Sequence, residues 1–204
     1  MPEQDVMSNY TIIQDTTLEL RRRIYAALDS APDADFGLSN PESDVTLSPP
    51  RDQMQGNPHL SLYLYRIDQD GHLRNQPWLP DQQTGLRFPP MPVKLCYLIT
   101  PLERDEDQNQ LMLGRIIQHF HDQPVLDILD GVPLGNSHGG NSPEMRITFE
   151  ALSMEELSQI WNALRTNYRL SAAYGIRIVT IDSAQAVAEA RRVTATHAVV
   201  GIKE

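Results

Sequence analysis

The sequence predicts a single α/β (α+β) domain, with a mixed β-sheet, helices packed on one face of it, and long loops between the elements. Three observations predict this. Residues 93–102, VKLCYLITPL, form a near-continuous apolar run, as a strand covered on both faces does. Residues 175–181, GIRIVTI, are apolar on both faces apart from Arg177, which suggests a second central strand. Between residues 145 and 182 the pattern switches from a period of two to a helical period and back, reading as strand, capped helix, strand.

Size and charge set the bounds. The 204 residues are 40% hydrophobic, enough for one domain with a core, and the formal net charge is −10. So acidic a chain is a poor fit to nucleic acid, whose affinity rests on Lys and Arg neutralising phosphates, and to an anionic membrane surface. One cysteine, Cys96, excludes an internal disulfide framework and a cysteine zinc site. A reducing cytoplasm is then the default compartment. No apolar run reaches the ~18 residues a membrane span needs, and the acidic, polar N-terminus is unlike a secretion signal. The first helical pattern begins just after Met7, which makes Met7 an alternative start to Met1. Of fifteen prolines, ten gather at Pro32, Pro41, Pro49, Pro50 and Pro58 and again between Pro77 and Pro92, where extended connections are expected.

The expected organisation is a flexible N-terminus at 1–8, one domain at 9–183, and a C-terminal extension at 184–204. The first helix spans about residues 9–28, with Tyr10, Ile13, Thr17, Leu20, Ile24 and Leu28 on one stripe. Arg21, Arg22 and Arg23 fall in its later turns, where cations suit the helix dipole. As a charge run the triplet reads as a solvated face; read more sharply, it is a basic contact for an acidic partner. Residues 29–58 read as a long loop, binding or disordered, broken by an extended piece at Val45-Thr46-Leu47-Ser48. Residues 59–68 form a strand with Leu60, Leu62 and Leu64 on one face and Ser61, Tyr63 and Tyr65 on the other. Asp70-Gly71 signals a turn, with residues 72–76 as a returning strand.

Cys96, inside the second strong strand, reads as a small core residue, since no neighbouring base or positive setting is visible. Residues 103–109 are an acidic connection or helix start. The helix over 111–121 then places Leu113, Ile116, Ile117 and Phe120 on one face. His119 and His121, two apart, point about 200° from each other around a helix and cannot chelate one ion from the same turn. The Gly/Ser/Asn-rich loop at 130–143 lacks GK[ST] and leads into a strand, so it is no phosphate cradle. Ser137-His138 within it is no nucleophile–base pair by adjacency alone. A mobile surface loop fits it better.

Met145 to Phe149 alternates apolar and polar residues. Ser153 then precedes a helix with Glu156 three residues on, a capping box, flanked by Leu152 and Leu157 as a hydrophobic staple. Leu157, Ile160, Trp161 and Leu164 give that helix one apolar face. In the last strand Tyr174, Ile176, Ile178 and Thr180 alternate with Gly175, Arg177, Val179 and Ile181. An alanine-rich, helix-compatible piece follows, then VTATHAVVGI at 193–202, which has β propensity and no evident place in the core. Such a segment can pair with a neighbour's sheet edge, pack locally or fray.

In this order, the first helix, LSLYLYRI, PPMPVKLCYLITPL, LMLGRIIQHFHDQPVL and MRITFEALSMEELSQIWNALRTNYRLSAAYGIRIVTID resemble one known family. It is the N-terminal domain family of the cap protein of extracellular contractile injection systems, phage-tail-like particles whose caps are similar to phage tail terminators. The resemblance covers roughly residues 8–183 and rests on structural phrases, not catalytic ones. It implies a tail-terminator-like fold and a six-fold ring of copies of this chain on the end of the inner tube and contractile sheath. It implies no enzymatic activity, no cofactor and no metal. It also implies production in the bacterial cytoplasm, before incorporation into a released particle. The docking candidates are Arg21, Arg22 and Arg23 on the first helix, Val45 and Leu47 in the long loop, and Val193, Val199 and Ile202 in the extension. A monomeric, cargo-recruiting adaptor is the alternative. A small hydrolase built on Ser137, His138 and the acids of 103–107 is weaker still.

Overall fold

The computed structural model describes residues 10–52, 54–69, 71, 79–81, 85–87, 89–129, 131–134 and 145–181. Its centre is a six-stranded mixed sheet in the order β1-β2-β5-β10-β9-β6. The strands are β1 (Val45–Thr46), β2 (Leu60–Gln69), β5 (Met91–Pro101), β6 (Val125–Leu126), β9 (Met145–Glu150) and β10 (Ala172–Ile181). Only β1 runs parallel to its neighbour; the other pairings are antiparallel. Two small ribbons stand apart, β3 (Leu79–Asp81) with β4 (Gly85–Arg87), and β7 (Ile128–Leu129) with β8 (Val132–Pro133).

The two expected central strands are neighbours. β5 and β10 pair from Ala172↔Ile99 to Ile181↔Met91, with β2 beyond β5 and β9 beyond β10. Their side chains split between two cores. Val93, Leu95, Tyr97, Ile99, Tyr174 and Ile176 face helices α1 (Ile12–Asp29) and α3 (Glu106–Asp122) in the larger core. Leu98 and Ala173 face the opposite way, onto Trp161 of α4 (Met154–Leu164). The α/β class is as expected, but the helices are not all on one face: α1 and α3 cover one side and α4 the other. The reason is in β5 itself, whose residues from Leu95 to Pro101 are buried on both faces and so need cover from both.

On α1 the buried stripe is Ile12, Thr16, Thr17, Leu20, Ile24, Ala27 and Leu28. Tyr10, expected on the stripe, lies outside the helix and is 80% exposed. Thr16 and Thr17 are tolerated inside because each hydroxyl donates to the carbonyl four residues back, at 2.6 and 2.7 Å. That leaves the Tyr97 phenol to donate to Thr17 Oγ1 at 2.8 Å, a buried polar link between the sheet and α1. On α3 the inward residues are Asn109, Met112, Leu113, Ile116 and Phe120. Ile117, expected among them, is 41% exposed, because Met112 takes the inward place. The Arg115 guanidinium donates from Nε to Ala27 O at 2.9 Å, satisfying a carbonyl at the end of α1 and tying the two helices together.

The stretch at 29–58 is not a featureless loop. Asn40 caps a one-turn helix, α2 (Pro41–Asp44), by accepting from Glu42 N. The Asp44 carboxylate accepts the Ser39 and Asn40 amides at 2.5 and 2.7 Å and the Ser43 hydroxyl at 2.9 Å. Burial pushes its pKa up, but those bonds outweigh it and hold the carboxyl below the usual aspartate value. β1 follows at once and lies along the start of β2, Val45 beside Leu60.

Two bulges change which way residues point. In β2 the register shifts between Leu64 and Arg66, so Tyr65 and Arg66 both turn to the α4 side. In β10 it shifts between Ile176 and Val179. Strict alternation places Val179 and Ile181 opposite Ile176; after the bulge both pack in the larger core with it. The expected returning strand at 72–76, the tail at 184–204 and the N-terminus at 1–8 lie outside the described residues.

The capping box of α4 is formed as the spacing predicts. Glu156 N donates to Ser153 Oγ at 3.2 Å, and the Glu156 carboxylate accepts Ser153 N–H at 2.8 Å. These bonds hold the Glu156 carboxyl below its ordinary value. Ser153→Ala is expected to cost about 1 kcal/mol, read as a lower urea midpoint at unchanged slope. Trp161, 3% exposed and edge-on to Tyr168 at 5.8 Å, is the one fully buried residue of α4. Trp161→Ala is expected to cost about 3–5 kcal/mol. A stable Trp161→Ala protein that has lost only assembly would instead place Trp161 in an interface.

Candidate interaction surfaces

The arginine triplet of α1 is spent largely within the chain. Arg21 reaches Glu42 of α2 at 3.6 Å, and Arg22, half exposed, pairs with Glu19 at 3.4 Å. Arg23 donates to Val125 O at 2.7 Å and to Asp127 Oδ1 at 2.6 Å, fastening α1 to the segment around β6. Arg21 and Arg23 therefore hold elements together instead of presenting a basic face. Val45 is 0% exposed and Leu47 is half buried against the same core. Parallel pairing of β1 beside β2 turns Val45 inward, so its side chain is no docking group in the folded chain. Val193, Val199 and Ile202 lie outside the described residues, as do Ser137 and His138.

The titratable groups that are described are arranged for structure. Cys96 is 1% exposed; burial pushes its thiol up, with Arg66 and Lys94 only partly opposing, which is the reverse of what a nucleophile needs. His119 is held below its ordinary value by burial, with the Arg115 and Arg23 charges adding to it. Among the described residues no group of three or more His, Cys, Asp or Glu is placed to hold a metal ion.

Three features had no sequence signal. The first is a sheet edge. β1 pairs only with Leu60 and Ser61, so among the described residues no strand lies along the outer edge of β2 from Leu62 to Asp68. Ile67 on that stretch is 48% exposed. The second is a charged sheet face beyond the end of α4. There Lys94 of β5 and Glu150 of β9 meet at 2.8 Å across the intervening β10. They can do so because the residue between them is Gly175: a Cβ there would lie 2.6 Å from both Glu150 Oε1 and Lys94 Cε. Beside them Arg66 pairs with Asp68 at 2.9 Å. The third is an aromatic outcrop. Phe149 is 54% exposed at the end of β9, and its ring stands edge-on to buried Tyr174 at 5.4 Å.

Residues 15–195 match the Pvc16 N-terminal domain. The chain belongs to that family. Its fold is also similar to two solved structures. One is the sheath/tube terminator of an extracellular contractile injection system, PVC, in its extended state, with a TM-score of 0.60 at 20% identity over 94% of this chain and 64% of that one. The other is the tube-terminating cap of the anti-feeding prophage, with a TM-score of 0.54 at 18% identity over 92% of this chain and 61% of that one. The chain thus spans less than two thirds of the length of either, and at these identities the likeness is one of fold. No curated protein matches the chain.

The glycine window in β10 leads to a measurable expectation. Gly175→Ala pushes the ends of Lys94 and Glu150 apart, and loss of that partly buried pair is expected to cost about 1 kcal/mol. Adding Lys94→Ala to Gly175→Ala is then expected to cost less than Lys94→Ala alone, as read from a double-mutant cycle of urea unfolding.

Proposed function

We propose that this chain is a structural cap of a phage-tail-like contractile injection particle. Copies of it form a six-fold ring on the end of the inner tube and contractile sheath, stopping further polymerisation and holding the last sheath layer. It acts without catalysis, cofactor or metal. The observation that carries this reading is the family match over residues 15–195, joined to a fold similar to a sheath/tube terminator and a tube-terminating cap along nearly the whole chain.

The open edge of β2 supplies a contact mode. A strand from a tube or sheath subunit adds to it through main-chain hydrogen bonds, while Ile67 offers an apolar side chain to the incomer. The bulge at Leu64/Arg66 bends that edge, which limits indiscriminate pairing between free copies. The extension at 184–204 serves as a second docking element. No described helix is long and apolar enough to cross a membrane. Synthesis in the bacterial cytoplasm, followed by release within the particle, fits the likeness to a sheath/tube terminator of an extracellular contractile injection system.

Electron microscopy of the purified protein at assembly-like concentrations is expected to show rings with a central hole, and particles made without it are expected to vary in length. Normal particles in its absence, with no co-purification with tube or sheath, would sink the proposal. A solution mass of one 23.1 kDa chain, together with cargo recruitment, would favour an adaptor.

A further inference from the structure

The main sheet has two borders, and among the described residues each is only partly closed, by a strand of two residues. β1 pairs with Leu60 and Ser61 at the start of β2, and β6 pairs with Met145 and Arg146 at the start of β9. These contacts fall at opposite ends of the sheet: Ser61 stands opposite Thr100, whereas Arg146 stands opposite Arg177, beyond the rung that joins Ile176 to Leu95. On the β9 side, Thr148, Phe149 and Glu150 therefore have no described strand beyond them. Ile147 N already points outward, donating to Pro124 O at 2.7 Å, and two residues on Phe149 turns its N–H and C=O the same way. The Phe149 side chain is 54% exposed. It lies on the face covered by α1 and α3, since its ring meets Tyr174 of the larger core. On the other side β1 is the outermost described strand. Leu47, the residue after it, is half buried on that same face, against the same core.

We propose that copies of this chain join head to tail through these two borders, with Thr148–Glu150 of one copy antiparallel to Thr46–Ser48 of the next. This rests on the ring reading above, because a head-to-tail ring needs two different surfaces on every copy. Strand direction favours these two. β1, β2 and β10 run one way, and β5 and β9 the other. Copies related by rotation about an axis along the strands keep those directions. β9 of one copy then meets β1 of the next antiparallel, like most pairs within the sheet. The same rotation keeps α1 and α3 on one side of the joined wall all the way round, and α4 on the other. Pairing β9 with the β9 of a second copy is antiparallel too, but about a two-fold axis, and it closes at a dimer.

The register follows from the rungs. Phe149 is level with Tyr97 and Thr46 with Thr100, so Leu47 lies two rungs from Phe149. A shift of two residues, about 7 Å along the strands, seats the Phe149 ring beside Leu47. Closing a sheet on itself requires a stagger of this kind. The junction removes the exposed ring from water and gives the outward N–H and C=O of Phe149 main-chain partners. It does not use the edge of β2 from Leu62 to Asp68, which stays available to a tube or sheath strand.

The test uses the full chain and a short bifunctional maleimide cross-linker. Cys96 is 1% exposed and does not compete for the reagent. Leu47→Cys and Phe149→Cys chains, mixed, are expected to cross-link into pairs that neither forms alone. One chain carrying both substitutions is expected to give a ladder up to the full ring. Phe149→Lys is expected to lower the solution mass from that of the ring to that of one 23.1 kDa chain, with a cooperative thermal melt showing that it is folded. If it does not fold, the cysteine chains decide the matter. Rings of the unsubstituted protein whose mixed cysteine variants do not cross-link, or that persist in folded Phe149→Lys, overturn this junction and leave the ring reading standing. Cross-linking of Phe149→Cys alone makes the contact two-fold and overturns it as well. Absence of rings from the unsubstituted protein in electron micrographs overturns the junction together with the ring.

Discussion

Everything else in the fold rests on the antiparallel pairing of β5 with β10. Each strand uses both of its edges, β5 with β2 and β10 with β9, so the backbone polar groups at the centre of the sheet are satisfied without water. Both faces of the pair must then be covered by side chains from other elements. α1 and α3 supply one cover, through Leu20, Ile24, Ile116 and Phe120; α4 supplies the other, mainly through Trp161. The capping box at Ser153 matters in this light, since it starts the helix that closes the second face. Phe120 packs edge-on to Tyr174 at 5.0 Å, joining α3 to the middle of the same strand pair.

Beyond that covered centre, the chain manages charge in two ways. Several of the described cations are internal fasteners: Arg23 across to Asp127, Arg115 to the end of α1, and Lys94 to Glu150 over the glycine window in β10. Among the described residues Arg51, Arg104, Arg165, Arg169 and Arg177 have no such role, and Arg51, Arg104 and Arg169 line one cleft together with Asp52, Glu103 and Asp105. Among the described residues the edge of β2 beyond Ser61 has no neighbouring strand.

Much of the fold was legible in the residues themselves. The central strands, the α4 capping box and the burial of Cys96 and Trp161 all follow from short-range pattern. A period of two or 3.6 and a Ser-x-x-Glu spacing are local properties, and the chain obeys them locally. The misreadings also have physical causes. Tyr10 and Ile117 fit an apolar stripe by spacing, but the helix start and the rotation of α3 were set by what the sheet required. Arg21 and Arg23 looked like a free basic run because Glu42 and Asp127, their partners, are distant or unremarkable in sequence.

The sequence by itself determined the α/β class, the central strands and the family, because each is written in residue order over tens of positions. Only the tertiary structure decided which face each residue serves. The bulges at Leu64/Arg66 and Ile176/Val179 reverse the alternation partway along a strand, and a bulge is chosen by pairing with the neighbour, not by the strand alone. Tertiary structure also brought Arg51, Arg104 and Arg169 together from three connections far apart in the chain. No period or spacing relates those positions, so their meeting is a consequence of where β2, β5 and α4 happen to end.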